Sequence, residues 1–411
     1  MKYLILVGDG MADYPVPTLG NRTPIEAADT PAMDAVVARG MVGQFCPIPE
    51  GLPPGSDIGN LSMFGYNPRE SFRGRAPIEA ANQGITLADN EVAFRCNLVT
   101  LEDGRMRDFT ADHISSEEAA ELVVQLNAHL GGEFPAVFHP GVSYRHLCIV
   151  PATPEASLAA LVSMNCTPPH NITDQEYAPH LPSGEGKEMI RAMMRRSQEV
   201  LPELPVNQAR LAAGKLPATS IWLWGQGKAP HMESYRSKFG LTGAVVSAVD
   251  LVKGMGVLAG LDVLKVDGTT GWIDTNYEGK VEAALQALET RDFVFIHLEA
   301  PDETAHQGKP DLKVKAIEDF DHRVVARCLE YVEGHPESRM LVAPDHFTLL
   351  STKTHASGPV PFAACGAGIP TGGQSAYSEN TAAASGVLIE DGYRLIQQFL
   401  QPAPLDLEHC Q

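Results

Sequence analysis

Short apolar runs, stopped by glycine or by acidic residues, recur along the chain. Lys2-Tyr3-Leu4-Ile5-Leu6-Val7, Ala244-Val245-Val246-Ser247-Ala248, Phe293-Val294-Phe295-Ile296-His297-Leu298 and Met340-Leu341-Val342-Ala343 show no apolar–polar alternation. That is the pattern of strands covered on both faces in a parallel sheet. Helix signals lie between them. Thr30 and Pro31 open a segment that Gly40 closes, with proline at the first helical position. Ser115-Ser116-Glu117-Glu118 begins a helix that reaches Leu130 and has the form of a capping box. Over 313–333, Val314, Ile317, Val324, Cys328 and Val332 fall on one helical face. The pattern predicts an α/β protein with a mainly parallel sheet flanked by helices.

From about Phe72 to Gln226 the character changes. Strand-like pieces such as 92–99 alternate with proline-rich punctuation at 167–169, 179–182 and 202–205. This block carries cationic residues and no metal-ligand pattern, as suits a substrate-gripping or lid domain. Gly225-x-Gly227 and Gly254-x-Gly256 do not complete a dinucleotide fingerprint and are read as turns.

Candidate chemistry gathers where the apolar runs stop. Asp9 follows the first run between two glycines; Asp345-His346 follows the last, and His355 comes nine residues after His346. Asp302 and His306, just beyond 293–298, are four residues apart and share a helical face. In parallel α/β sheets, sites are built at these carboxyl ends. Asp and His without Cys suit Zn, Mn or Mg. Ser56 enters a helix from the Pro/Gly loop 51–55, where backbone N–H groups favour phosphate or an alkoxide. Each feature also has a plain reading: a Gly-Asp-Gly turn, a serine N-cap, a hydrogen-bonded strand end, a surface Asp-x-x-x-His. Together, six O/N ligands and a serine can hold two divalent ions roughly 3.5–4 Å apart, as phosphoryl transfer requires. Lys253 follows the 244–248 run and is expected to face the same cleft.

The 411 residues allow two or three domains. A formal net charge of -20 argues against a general nucleic-acid or anionic-membrane partner, which needs positive surface. It leaves room for a small phosphorylated substrate. The seven cysteines (46, 96, 148, 166, 328, 365, 410) are scattered without a Cys-x-x-Cys, which fits reduced thiols and a cytoplasmic location. The opening apolar run is too short for a signal peptide, and no window is long enough to span a membrane.

Several stretches carry a family resemblance. They are Gly8-Asp9-Gly10-Met11-Ala12-Asp13, Gly55-Ser56-Asp57 with Asn60-Leu61-Ser62, Gly74-Arg75-Ala76-Pro77-Ile78-Glu79-Ala80, Leu251-Val252-Lys253-Gly254-Met255-Gly256, Ala300-Pro301-Asp302-Glu303-Thr304-Ala305-His306, and Asp345-His346 through His355. In this order they resemble the alkaline phosphatase superfamily and, more closely, the cofactor-independent phosphoglycerate mutases of the archaeal type.

The resemblance implies an alkaline-phosphatase-like core over 1–75 and 232–411, interrupted by a smaller α+β substrate-binding or lid domain over 76–231. It implies that 3-phosphoglycerate and 2-phosphoglycerate are interconverted through a phosphoserine at Ser56. Two divalent ions (Mn, Mg, Zn or Co) are expected and no 2,3-bisphosphoglycerate. Asp9, Ser56, Asp345 and His346 would hold one ion; Asp302, His306 and His355 would hold the other. Lys253 falls at a substrate-phosphate lysine, and the inserted domain is expected to add His113, Arg107 and Arg145. Trp222-Leu223-Trp224-Gly225-Gln226-Gly227-Lys228 departs from the Arg-rich segment of bacterial-type enzymes. The alternatives are a metal-dependent phosphomonoesterase or phosphonate hydrolase of the same superfamily, or phosphoryl transfer to homoserine. No Walker-type loop supports the last.

Overall fold

The computed structural model describes residues 1–407; Cys410 lies outside them. The chain forms two compact units. One comprises Met1–Phe72 with the chain from His231 onward, and the other Arg73–Pro230.

In the first unit an eight-stranded sheet runs in the order Leu388–Ile389, Met41–Phe45, Val360–Gly366, Ser338–Ala343, Lys2–Gly8, Phe293–Leu298, Gly243–Val246, Asp262–Val263. Ser338–Ala343, Lys2–Gly8, Phe293–Leu298 and Gly243–Val246 are parallel neighbours. Only Val360–Gly366 runs against its neighbours. The mainly parallel α/β class is therefore as expected. The apolar runs are buried almost throughout because both faces of the sheet are covered. Leu4, Leu6, Val294, Ile296, Met340 and Val342 share one core with residues of the flanking helices.

The helix Pro31–Arg39 starts and stops where the sequence predicts, but Thr30 does not cap it. Asp321, far along the chain, accepts hydrogen bonds from the Ala32 and Met33 amides at 3.0 and 2.6 Å, and burial pushes its carboxyl up to about 6. The helix predicted over 313–333 is Pro310–Phe320 and Ala326–Gly334 joined through a π-helical turn, Asp321–Val325. The extra residue shifts the buried face and turns Asp321 inward. Val314, expected in the core, is half-buried, and Lys313 is buried in its place. The Lys313 ammonium donates to Asp13 Oδ2 at 3.0 Å and to the Thr348 carbonyl at 2.7 Å. It thereby ties the loop after Lys2–Gly8 to the one after Ser338–Ala343.

The second unit is an antiparallel sheet. Glu91–Glu102 pairs with Arg105–Asp108, Arg145–Pro151 and Ser220–Lys228, and Val137–Val142 extends Arg145–Pro151. The helices Ser116–Leu130 and Lys187–Val200 close its core. Ser115 and Glu118 form the expected capping box. The two Gly-x-Gly pairs are not turns: Gly225 and Gly227 lie in a strand, and Gly254 and Gly256 in the helix Asp250–Leu258. A Cβ on Gly256 would overlap the Val245 side chain, so this glycine lets the helix sit close on its strand. Among the described residues, no helix is long and apolar enough to cross a membrane.

Candidate metal centre

Three adjacent parallel strands deliver the polar groups. Asp9 follows Lys2–Gly8, Asp345 and His346 follow Ser338–Ala343, and the helix Ala300–His306 begins just after Phe293–Leu298. Asp302 and His306 face the same way from one helical turn, with Asp302 Oδ2 and His306 Nε2 3.2 Å apart. His355 returns on a short hairpin, Thr354–Ala356 against Phe347–Leu349. Its Nε2 lies 3.0 Å from His306 Nε2 and 3.4 Å from Asp302 Oδ1.

Ser56 is the first residue of the helix Ser56–Met63, with Gly55 at the cap position. Its hydroxyl is thus not spent on capping and lies 3.1 Å from His346 Nε2. His346 Nε2 is also 3.3 Å from Asp9 Oδ1 and 3.5 Å from Asp345 Oδ2. The other ring nitrogen, Nδ1, faces the Phe347 carbonyl at 3.2 Å. A proton on Nδ1 leaves the Nε2 lone pair directed at the cluster, which is the ligand tautomer. In the same way His306 Nδ1 meets the Lys353 carbonyl at 2.9 Å. Supporting bonds fix the carboxylates. Asn60 Nδ2 donates to Asp345 Oδ2 at 2.6 Å, the Gly10 amide to Asp345 Oδ1 at 3.1 Å, and the Thr348 hydroxyl to Asp302 Oδ1 at 2.5 Å.

Two glycines make room. Gly10 has φ +58°, and a Cβ there would overlap Thr348 and Asp302; a Cβ on Gly59 would overlap the Asp345 carbonyl. Gly59→Ala is expected to push the Ser56 helix off Asp345 and to cost about 1–3 kcal/mol. Thermal melts and activity, both lowered in this variant, check it.

The electrostatics suit cations. Asp9 is fully buried and neither of its carboxylate oxygens has a hydrogen-bond donor. Burial, then Asp345, Asp302 and Glu299, hold its carboxyl well above the usual range. Burial also acts to raise Asp302, but hydrogen bonds from His306 and His355 outweigh it and pull the group well below its ordinary value. The bond to Asp302 lifts His306 up to about 9. Buried carboxylates crowded this way are costly unless positive charge is brought in. Asp9, Asp345 and His346 form one group able to hold an ion; Asp302, His346 and His355 form another, with His306 in contact with the second. All seven residues expected at the centre are therefore brought together.

A third group, Asp9 with His297 and Glu299, was not legible as such in the sequence. Lys253 is engaged by Asp250 Oδ1 at 2.7 Å. It adds to the burial that lowers Lys280 to about 8.

Of the residues expected in the second unit, Arg107 stands 3.8 Å from Glu102 and Asp174 on the surface. His113 is exposed at φ +47°. Arg145 belongs to a different cluster. Arg95, buried, lies over the Trp224 ring at 4.2 Å and shares Glu79 with Arg75, each Nε being 3.0 Å from a Glu79 oxygen. Burial lowers Arg95 to about 10, and Arg75 and Arg145 contribute. The same three arginines add to burial in lowering His170, whose ring meets Trp224 edge-on at 5.4 Å. Arg75, Arg95 and Arg145 are thus close enough for their charges to act together, in a chain of formal net charge -20.

The fold and centre define an α/β protein with Asp and His side chains able to hold metal ions, converging on a helix-terminal serine. Comparison with known proteins narrows this. The model of the 2,3-bisphosphoglycerate-independent phosphoglycerate mutase family matches residues 37–207. The probable 2,3-bisphosphoglycerate-independent phosphoglycerate mutase of Geobacter sulfurreducens is 50% identical over 97% of this chain and 100% of its own. The corresponding protein of Methanosarcina barkeri is 52% identical over 88% of this chain and 90% of its own. A solved cofactor-independent phosphoglycerate mutase from Thermoplasma acidophilum superposes with a TM-score of 0.66 at 25% identity, covering 97% of this chain and 100% of that one. The chain belongs to the 2,3-bisphosphoglycerate-independent phosphoglycerate mutase family.

Proposed function

We propose that the protein interconverts 3-phosphoglycerate and 2-phosphoglycerate without 2,3-bisphosphoglycerate, passing the phosphoryl group through Ser56 at a centre for two divalent cations. The observation that carries this reading is the buried Asp9 carboxylate, without donors, among Asp345, Asp302 and His346, the last in contact with the Ser56 hydroxyl. Asp9, Ser56, Asp345 and His346 would hold one cation, and Asp302, His306 and His355 the other. Such ions, when bound, stabilise charge on the transferring phosphoryl oxygens and lower the pKa of a bound hydroxyl.

The chain's own groups do the rest. Ser56 Oγ attacks phosphorus in line as the bond to the glycerate 3-oxygen breaks, and phosphoserine forms. The glycerate 2-hydroxyl then attacks phosphoserine and Ser56 is restored. The positive end of the Ser56–Met63 helix favours the anion at each stage. Glycerate must be retained between the two transfers, and water kept out, or the phosphoserine is hydrolysed. We assign the retention of the substrate carboxylate to the second unit, through Arg75, Arg95 and Arg145, because planar guanidinium groups grip carboxylates in a fixed geometry.

The test is a coupled assay of the purified protein with Mn²⁺ and 3-phosphoglycerate, following isomer and free phosphate together. Isomer with little phosphate is expected. Phosphate without isomer would make the protein a hydrolase. In Arg95→Met the KM for 3-phosphoglycerate should rise about tenfold or more, as removal of a charged contact implies; an unchanged KM would remove the arginine cluster from the substrate's path.

A further inference from the structure

One hydroxyl touches both halves of the centre. Thr348 Oγ1 donates to Asp302 Oδ1 at 2.5 Å and lies 3.2 Å from His346 Nδ1. With the His346 proton on Nδ1, that proton is shared between the Phe347 carbonyl and Thr348 Oγ1, and the hydroxyl hydrogen is left to point at Asp302. Thr348 thus braces one residue assigned to each cation.

The backbone of Thr348 is itself held on both sides. Its amide donates to the Ala12 carbonyl at 3.3 Å, and its carbonyl accepts from Lys313 Nζ at 2.7 Å. The same ammonium donates to the Ala12 carbonyl at 3.3 Å and to Asp13 Oδ2 at 3.0 Å, so its three protons meet three acceptors. Asp13 Oδ2 also accepts from the Leu350 amide at 3.0 Å, and Oδ1 accepts from the Tyr14 amide at 2.8 Å. The Asp13 amide donates to Glu379 Oε1 at 3.2 Å. Lys313, Asp13 and Thr348 are all buried, so none of them meets a substrate directly.

Neutral donors could tie two loops together at a lower desolvation cost than an ammonium. What the charge adds is attraction among carboxylates. Asp13, Asp302 and Glu379 all favour the charged form of Lys313 against its burial, and by reciprocity the ammonium favours an ionised Asp302.

We propose that Lys313 is a positioning residue of the reaction centre. Gripped by Asp13, it fixes Thr348, and Thr348 sets the Asp302 carboxylate and the His346 ring in the orientation that receives cations, as outer partners fix metal ligands. This role rests on the cation-centre reading of the proposed function.

The test separates positioning from mere support. The full-length protein, stripped by chelator, is titrated with Mn²⁺ while free Mn²⁺ is followed by electron paramagnetic resonance, and melts are recorded with chelator and with Mn²⁺. Thr348→Val keeps the branched side chain and the carbonyl that Lys313 grips but loses the hydroxyl. It should bind at least one Mn²⁺ about tenfold to a hundredfold more weakly than the wild type, yet melt within about 5 °C of it in chelator. Its kcat should fall while the KM for 3-phosphoglycerate stays within about twofold, and excess Mn²⁺ should restore kcat. Lys313→Met combined with Asp13→Asn removes the ammonium without stranding a buried carboxylate, and should show the same loss of Mn²⁺ affinity. Wild-type affinity in either protein would overturn the proposal. In the second, wild-type affinity with melts lowered equally in chelator and in Mn²⁺ would make Lys313 a structural residue only. If the wild type itself bound no Mn²⁺, the cation centre would fall and this role with it, a result distinct from equal binding by wild type and variants.

Discussion

Ser56→Ala is expected to abolish interconversion of the phosphoglycerates while leaving the protein folded. The loss should be at least about 10⁴-fold in kcat, because the phosphoryl group then lacks the carrier proposed for it and the remaining groups only position and polarise. The fold should be nearly indifferent. Ser56 is the first residue of its helix and its side chain caps nothing, and alanine is the best helix former. The one bond removed is to His346, worth about 1 kcal/mol. The melting temperature should therefore move by a few degrees at most, and cation binding should persist through Asp9, Asp345 and His346. Acid-quenched wild type incubated with labelled 3-phosphoglycerate should carry label on Ser56, and the variant none. Mutase activity in Ser56→Ala within tenfold of wild type would mean that the phosphoryl group does not pass through this residue.

The part of the centre that could be read from the sequence is the part that breaks a pattern. Asp9, Asp302 and Asp345 each stand where an apolar run ends, and at the end of a parallel strand a carboxylate has nowhere to point but the site. His297 breaks a pattern too, as an imidazole inside the run 293–298, but a single imidazole in an apolar strand reads as core. The signal that could have found it is the cost of burying a ring nitrogen with no partner. Lys313 departs from the usual solvent position of lysine. It shares a helical face with Ile317 and Phe320 and so enters the core with them, which obliges Asp13 to follow. Arg95 sits inside the strand Glu91–Glu102 for a similar reason, with Glu79 and Trp224 as its partners. No spacing rule links Arg75, Arg95, Arg145 and His170; only the sheet register and the loop geometry of the second unit bring them together. The π turn at Asp321–Val325 was also beyond periodicity, since one extra residue in a helix leaves the apolar pattern almost intact while rotating everything after it.

The crowding of carboxylates that suits the centre to cations should make the cation-free protein pay in stability, and Asp9 is where the effect should be largest. Its carboxyl is held well above the ordinary range by burial first and by Asp345, Asp302 and Glu299 after it. A group raised in the folded state binds its proton more tightly there than in the unfolded chain. Its stabilising contribution is therefore full at low pH and lost as pH rises through the folded value. The chelated wild type should melt at a lower temperature at pH 8 than at pH 6, and Asp9→Asn, which cannot ionise, should show a smaller drop. With cations present the order should reverse. A cation at a free concentration one hundred times its Kd stabilises the wild type by about 2.7 kcal/mol, whereas Asp9→Asn loses a charged ligand and should gain little, with activity lost as well. Melts of both proteins at the two pH values, with chelator and with Mn²⁺, give the four comparisons. A chelated Asp9→Asn protein as pH-sensitive as the wild type would show that another carboxylate bears the uncompensated charge. Asp345 is then the group to test next, since it lies in the same buried cluster, where it accepts from Asn60 and Gly10.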